Sequence, residues 1–312
     1  MTRDARFRAA RPAGLVSAAI ATVVAAFALA GSAAAATTSN TLTSRNWSGY
    51  AAHRSTVTFD NVSGRWRVPA ATCVTGEQAF SSFWVGIGGY ALHSSGLEQD
   101  GIELDCKADG SQSVSAWYEL LPAGPHTIRM SVRSGDLITA SVHDSADLVT
   151  LKINDLTRNE SFSKTVRDSK ADDTSAEWIA EAPEECSTSD SCSVLALADF
   201  GTVRFSDATA TTTAGVTSGV STSDWTTTKL LLGYRKQGGA FVARSAGASA
   251  TPSALTDRDR RFAVTWSGTQ VSTGTSGSGG PGSPAGGGNP GGAGNPSGIP
   301  NPGGATGGGP GA

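Results

Sequence analysis

The stretch Ser113-Val114-Ser115-Ala116-Trp117-Tyr118-Glu119 decides the reading of this chain. In an extended backbone successive side chains point to opposite faces, so Ser115, Trp117 and Glu119 share one side while Val114, Ala116 and Tyr118 take the other. A helix would scatter both sets. Upstream, Leu97-Glu98-Gln99-Asp100-Gly101-Ile102-Glu103 divides in the same way, with Gln99, Gly101 and Glu103 on one face and Glu98, Asp100 and Ile102 on the other. Downstream, Ala176-Glu177-Trp178-Ile179-Ala180-Glu181 sets Glu177, Ile179 and Glu181 together.

Period-two alternation rich in Val, Thr, Trp and Phe continues outward from these segments, broken by Gly, Asn, Asp and Pro. It predicts strands at Thr56–Phe59, Gly64–Val68, Ser82–Ile87, Gly101–Asp105, Ser113–Leu120, Thr127–Val132 and Leu137–His143, then at Val149–Ile153, Ser161–Val166, Ala176–Ala180, Val194–Ala198, Gly201–Ser206 and Phe262–Trp266. Ser134-Gly135-Asp136, Asn154-Asp155 and Thr157-Arg158-Asn159 carry turn chemistry. The Thr/Ser-rich run Thr209–Thr228 fits either exposed strands and turns or a mobile flap. With no long amphipathic helix and no fixed repeat, the expected fold is all-β: a two-layer antiparallel β-sandwich of the concanavalin-like or jelly-roll type, with a barrel as the alternative.

The ends have a different composition. Residues 1–36 carry Arg3, Arg6, Arg8 and Arg11 before an uncharged Ala/Val/Leu-rich run and Ala33-Ala34-Ala35-Ala36, the layout of a secretory signal peptide. Residues 272–312 hold 18 Gly and 7 Pro, no charge and one large aliphatic, Ile299, so they cannot bury a core and read as a disordered tail. Residues 37–271 remain as one domain. Export would remove four Arg and one Asp, shifting the net charge from −3 to −6. No Lys/Arg stripe suits nucleic acid, and no second apolar run suits a bilayer, so a secreted, extracellular monomer free of the membrane after signal removal is expected.

Four cysteines in an exported chain imply disulfides with three possible connectivities. A bridge could close the short polar loop between Cys186 and Cys192, which leaves Cys73 with Cys106. The absence of Cys-x-x-Cys and the scattering of His53, His93, His126 and His143 argue against zinc, so neither metal nor cofactor is expected. No Gly-x-Ser-x-Gly or His-Glu-x-x-His occurs. A single Glu on a strand is ordinarily the solvent-facing half of the alternation, so the three polar segments carry weight only in combination.

Taken in order, those segments and their neighbours resemble the glutamic peptidases, or eqolisins, and specifically a secreted bacterial-type member with a Gly/Pro-rich tail. The likeness runs through Asn46-Trp47-Ser48-Gly49-Tyr50, Gly64-Arg65-Trp66-Arg67-Val68-Pro69, Trp84-Val85-Gly86-Ile87-Gly88-Gly89, Leu97–Gly101, Ala116–Glu119, Ala176–Ile179 and Ala198–Phe205. It implies a two-sheet sandwich, polypeptide substrates and a catalytic pair at Gln99 and Glu177. Glu177 would serve as general base and then acid, while Gln99 holds the water and donates to the oxyanion. Trp84 and Trp117 would wall the substrate, and Glu103 and Glu119 would orient or tune the pair. The family's Trp-Val-Gly-Ile-Asp-Gly has Gly88 at its Asp, and the Asp four residues after the Gln is Glu103 here. Little chain separates the apparent cleavage point from Asn46, so activation without removal of a long propeptide is expected. The competing reading is a glycan-binding or glycan-hydrolysing sandwich using Glu119 and Glu177.

Overall fold

The computed structural model describes residues 40–268, apart from 92–93, 95, 170, 189–190, 236–240 and 243–246. The expected leader and tail lie outside the described residues. In chain order the strands are β1 (Asn40–Ser44), β2 (Trp47–His53), β3 (Phe59–Arg67), β4 (Ala79–Gly88), β5 (Leu97–Cys106), β6 (Gln112–Leu120), β7 (His126–Ile128), β8 (Leu137–Ser145), β9 (Leu148–Asp155) and β10 (Glu160–Arg167). They continue as β11 (Ser175–Glu181), β12 (Glu184–Thr188), β13 (Ser191–Val194), β14 (Thr202–Thr212), β15 (Thr217–Ser218), β16 (Thr226–Leu232), β17 (Tyr234–Arg235), β18 (Phe241–Val242), β19 (Ser249–Pro252) and β20 (Phe262–Ser267). The described residues contain no helix.

The expected all-β class holds, and the layering has a specific form. A single hydrogen-bonded path runs β10-β9-β8-β3-β14-β20-β19-β16-β2-β11-β4-β5-β6-β7. Its two halves pack face to face, β3 and β8 against β4 and β5 against β9. The sandwich is therefore one sheet folded over and nearly closed. Short β19 makes the corner, meeting β16 through the pair Leu232/Ala250 and β20 through four residues. Every pairing along the path is antiparallel, and β1 joins β16 in parallel.

Side-chain alternation builds the core between the halves. Ile138, Ala140 and Val142 of β8 and Val149, Leu151 and Ile153 of β9 point inward and are buried with Trp66, Phe83, Phe205 and Trp178. Ala146 and Asp147, both at positive φ (51° and 65°), form the two-residue turn between β8 and β9. The Asp155 carboxylate accepts from the backbone N–H of Thr157 (2.8 Å) and Arg158 (3.0 Å), closing the expected turn before β10.

One strand goes beyond the expectations, one open reading resolves, and three expected strands change their bounds. β2 was missed because both its faces are buried, Tyr50 and Ala52 in the main core and Trp47 and Ala51 on the other side, so no alternation shows in its sequence. The run Thr209–Thr228 resolves into the end of β14, β15 and the start of β16, all strands and turns of the same sheet. Val194–Ala198 is strand only at its first residue, with Leu197 making an isolated bridge to Phe80. Thr127–Val132 shortens to β7 and Thr56–Phe59 to the first residue of β3.

Cys73 and Cys106 form a disulfide. Cys192 is also disulfide-bonded, and its register partner across the β12–β13 hairpin is Cys186.

Candidate active site

Six strands carry a continuous rung of residues. Register sets Thr228 of β16 beside Ala51 of β2, Ala51 beside Glu177 of β11, Glu177 beside Gly86 of β4, Gly86 beside Gln99 of β5, and Gln99 beside Glu119 of β6. All lie on the face away from the main core. Strands sit about 4.8 Å apart, so Glu177 and Gln99 are separated at the backbone by about 10 Å, across Gly86. A Cβ on Gly86 would lie 3.0 Å from Leu97 Cδ1 and Trp84 Cζ3 and 3.2 Å from Gln99 Cβ. The missing side chain lets Trp84 and Leu97 pack closely over β4 between the two polar groups.

Both groups are buried. Gln99 Nε2 donates to Glu119 Oε2 at 2.8 Å, which fixes the amide and leaves Gln99 Oε1 without a protein partner. Neither Glu177 oxygen has a well-formed hydrogen bond. Burial pushes Glu177 well above the ordinary carboxylate range, the Ser175 hydroxyl opposes the rise, and the negative fields of Asp172 and Glu98 add to it. Burial likewise lifts Glu119 to about 9, with Glu181 adding and the Gln99 donor opposing.

The next rung is aromatic: Ile179, Trp84, Gly101 and Trp117 succeed one another across β11, β4, β5 and β6. A Cβ on Gly101 would fall 2.6 Å from Trp84 Cβ, so glycine is what allows Trp84 to lie over β5. Trp47, Ala51, Trp84, Leu97, Trp117, Ile179 and Leu230 form a second apolar cluster on this face. Glu103 lies four residues along β5 from Gln99, roughly 13 Å away at strand rise. Its near neighbour is Asp105, and burial raises it to about 7. The structure therefore gathers Gln99, Glu177, Glu119, Trp84 and Trp117, with Glu103 at a distance.

Several residues of this face were not singled out from sequence. Glu181 Oε1 accepts from Asn46 Nδ2 (2.9 Å) and Trp47 Nε1 (3.1 Å), and its Oε2 accepts from Trp84 Nε1 (2.7 Å). One buried carboxyl thus fixes two indoles that meet edge to face at 4.9 Å. Its place beside Glu177 on the alternating face of β11 was the available signal. His53 stacks on Tyr90 at 4.3 Å, and both reach the Thr228 hydroxyl, at 2.8 and 3.2 Å. No local pattern announces that cluster, because its members come from separate stretches of chain.

Asp172 occupies the space beside Gly88. A Cβ on Gly88 would lie 2.4 Å from the Asp172 carbonyl oxygen and 2.9 Å from its Cβ, and Gly88 has φ +85°. A side chain there would collide with the segment entering β11. The Asp172 carboxylate is tied to the Ser94 hydroxyl and accepts from the Thr174 N–H at 3.0 Å.

The other face of β5 departs from the usual alternation. Glu98 and Asp100 share the inward side with Ile102 and Leu104 and are fully buried, where solvent-facing acids are the ordinary case. Burial first, then the fields of Asp168, Asp144 and Asp172, raises Glu98 to about 9. Burial also pushes Asp100 well up.

A nearly closed antiparallel sheet thus presents a buried Gln and Glu on either side of a glycine, beside buried tryptophans. Residues 45–236 match the Peptidase A4 family, and the chain belongs to that family of hydrolases. Aspergillopepsin-2 of Aspergillus niger is 34% identical over 140 residues, 43% of this chain and 47% of that protein, so the chain spans about half the length of this curated relative. Among solved structures, scytalido-glutamic peptidase with a transition-state-analogue inhibitor superposes with a TM-score of 0.57 at 26% identity, covering 72% of this chain and 98% of that one. SCP-B, an eqolisin-family peptidase in complex with the tripeptide Ala-Ile-His, shares the fold, with a TM-score of 0.53 at 24% identity over 72% and 98% of the two chains.

Proposed function

We propose that this protein is an exported endopeptidase that works in acid, hydrolysing peptide bonds with Gln99, Glu177 and a water. The reading is supported by the rung Glu177–Gly86–Gln99–Glu119, which sets a carboxyl group and an oriented amide on either side of a glycine. In its ionised form, which the raised pKa makes the stronger base, Glu177 takes a proton from the water as the water oxygen bonds to the scissile carbonyl carbon. It returns a proton to the nitrogen as the C–N bond breaks. Gln99 holds the water through Oε1 and offers its second Nε2 hydrogen to the developing oxyanion, the first being given to Glu119. Trp84 and Trp117 exclude water and contact substrate side chains.

Acid keeps Glu119 and Glu181 neutral, so the single negative charge the reaction needs can sit on Glu177 without like charges on the same face. Glu119 and Glu181 crowd the same face, and neither this rung nor its aromatic neighbour contains Lys or Arg to balance their ionisation. With Glu119 engaged by Gln99, the two-carboxylate glycosidase arrangement has no observation in its favour. The leader at residues 1–36, one catalytic domain at 37–271, a non-catalytic tail at 272–312 and a monomeric secreted product belong to the same proposal. No helix among the described residues is long and apolar enough to cross a membrane.

The test is digestion of a denatured protein at acid and neutral pH, with pepstatin and a chelator present. Gln99→Ala should lower kcat by about 10²–10³ with the fold intact, as loss of an oxyanion donor does, and Glu177→Gln should behave likewise. Wild-type rates from both variants would overturn the assignment.

A further inference from the structure

The outer face of the other half of the sheet carries a basic cavity that the proposed peptidase chemistry does not use. β3 and β14 pair Trp66 with Phe205 and Arg65 with Ser206, and continuing that register by one residue sets Arg67 opposite Arg204. Trp66 and Phe205 point into the main core, so the arginines flanking them point out, and Arg67 and Arg204 are exposed. β14 pairs Arg204 with Ala263 and Phe205 with Phe262 of β20, and the next position sets Arg261 opposite Ser206. Arg67, Arg204 and Arg261 line one cavity of about 460 Å³ with Ser206, Ala263 and Thr256. Trp66, Leu137, Phe205, Ser253 and Phe262 complete its lining, and the three arginines come from three separate stretches of chain.

The charge is only partly balanced. Arg261 pairs with Asp257 and the adjacent Arg65 with Asp207, each at 2.9 Å. Arg67 donates to the Gly135 carbonyl and has no counterion among the described residues. Arg204 has neither an ion pair nor a hydrogen bond among the described residues. Like charges directly opposite on neighbouring strands destabilise a sheet. Here they stand together in a domain of net charge −6 after the expected loss of the leader.

We propose that this cavity binds a tetrahedral oxyanion of the phosphate or sulfate type, clamped between Arg67 and Arg204 with Arg261 at the rim. Guanidinium forks match such oxygens in bidentate fashion. Three guanidinium groups side by side on β3, β14 and the approach to β20 offer more donors than the two oxygens of a planar carboxylate can use, and suit a tetrahedral group better. A sulfate or phosphate monoester also keeps negative charge in the acid range where carboxylates lose theirs. The site stands apart from the Gln99/Glu177 rung, so it does not depend on the peptidase reading.

Calorimetric titration of the full chain at pH 5 and low salt tests this, with sodium phosphate and sodium sulfate as small probes and polyphosphate and dextran sulfate as polymeric ones. The expected result is saturable one-to-one binding of a small probe, weakened at least tenfold by Arg204→Ala and unchanged by Arg129→Ala, an exposed arginine elsewhere. Tighter binding of a polymer with the same sensitivity to Arg204→Ala would assign the ligand as esters on a chain, and equal binding would assign it as free anion. Phosphate should also raise the Tm of the wild type and leave that of Arg204→Ala unmoved, while peptide hydrolysis stays at the wild-type rate in both. Equal affinity in wild type and Arg204→Ala, or an equal loss in Arg129→Ala, would overturn the proposal.

Discussion

Raising the pH should unfold this domain through carboxyl groups that the fold keeps from water. Glu98 and Glu119 are held at about 9 and Glu181 at about 8, in each case first by burial. Below about pH 4.5 these groups are neutral folded or unfolded, and the stability is fully present. Above it the unfolded chain ionises them while the folded chain holds their protons, so stability falls until the folded values are passed. One withheld ionisation costs about 1.4 kcal/mol per pH unit, and three together cost about 4 kcal/mol per unit. Between pH 5 and 7 the loss reaches roughly 8 kcal/mol, comparable to the whole stability of an ordinary domain. Urea midpoints followed by circular dichroism at pH 4, 5, 6 and 7, at constant ionic strength, measure the slope. Glu98→Gln should flatten it by one proton, about 1.4 kcal/mol per pH unit, because Glu98 lies on the core face away from the site. A stability that is flat or rises from pH 5 to 7 would refute the reasoning.

Gly86→Ala should leave a folded protein with hydrolysis reduced at least a hundredfold, since its Cβ would enter the space between Glu177 and Gln99 and press on Trp84 and Leu97. A rate within threefold of wild type would show that nothing reacts above Gly86. Asp172→Asn removes a negative charge that raises Glu177 while keeping the size of the group beside Gly88. The limb of the pH–rate profile governed by Glu177 should therefore move to lower pH, and an unmoved profile would mean that Asp172 does not act on Glu177. Replacing Cys73 and Cys106 by Ala opens a loop with 33 residues of sequence separation. The chain-entropy relation puts that loss at about 3–4 kcal/mol, read as a lower urea midpoint at pH 4.

Alternation alone made β5, β6, β8, β9 and β11 legible and sorted Gln99 with Gly101, and Glu119 with Trp117, onto one face of each strand. It failed at β2, whose residues are buried on both sides and so carry no period. Sorting Glu98 and Asp100 onto the face of Ile102 was right, but that this face is the inward one, where acids are unusual, came only from the structure.

What the sequence by itself determined is the strand class, the turns at Gly135 and Asp155, and which side chains share a face within each strand, since these depend on neighbours a few residues apart. Register between strands was decided only by the tertiary structure. Pairing β11 with β4 and β4 with β5 brings Glu177 and Gln99 together over Gly86, closes Glu181 on two tryptophans from other strands, and sets Arg67 against Arg204 on the far half. A shift of one residue in any of those pairings would turn the same side chains to the opposite face, and no local pattern in the chain fixes that choice.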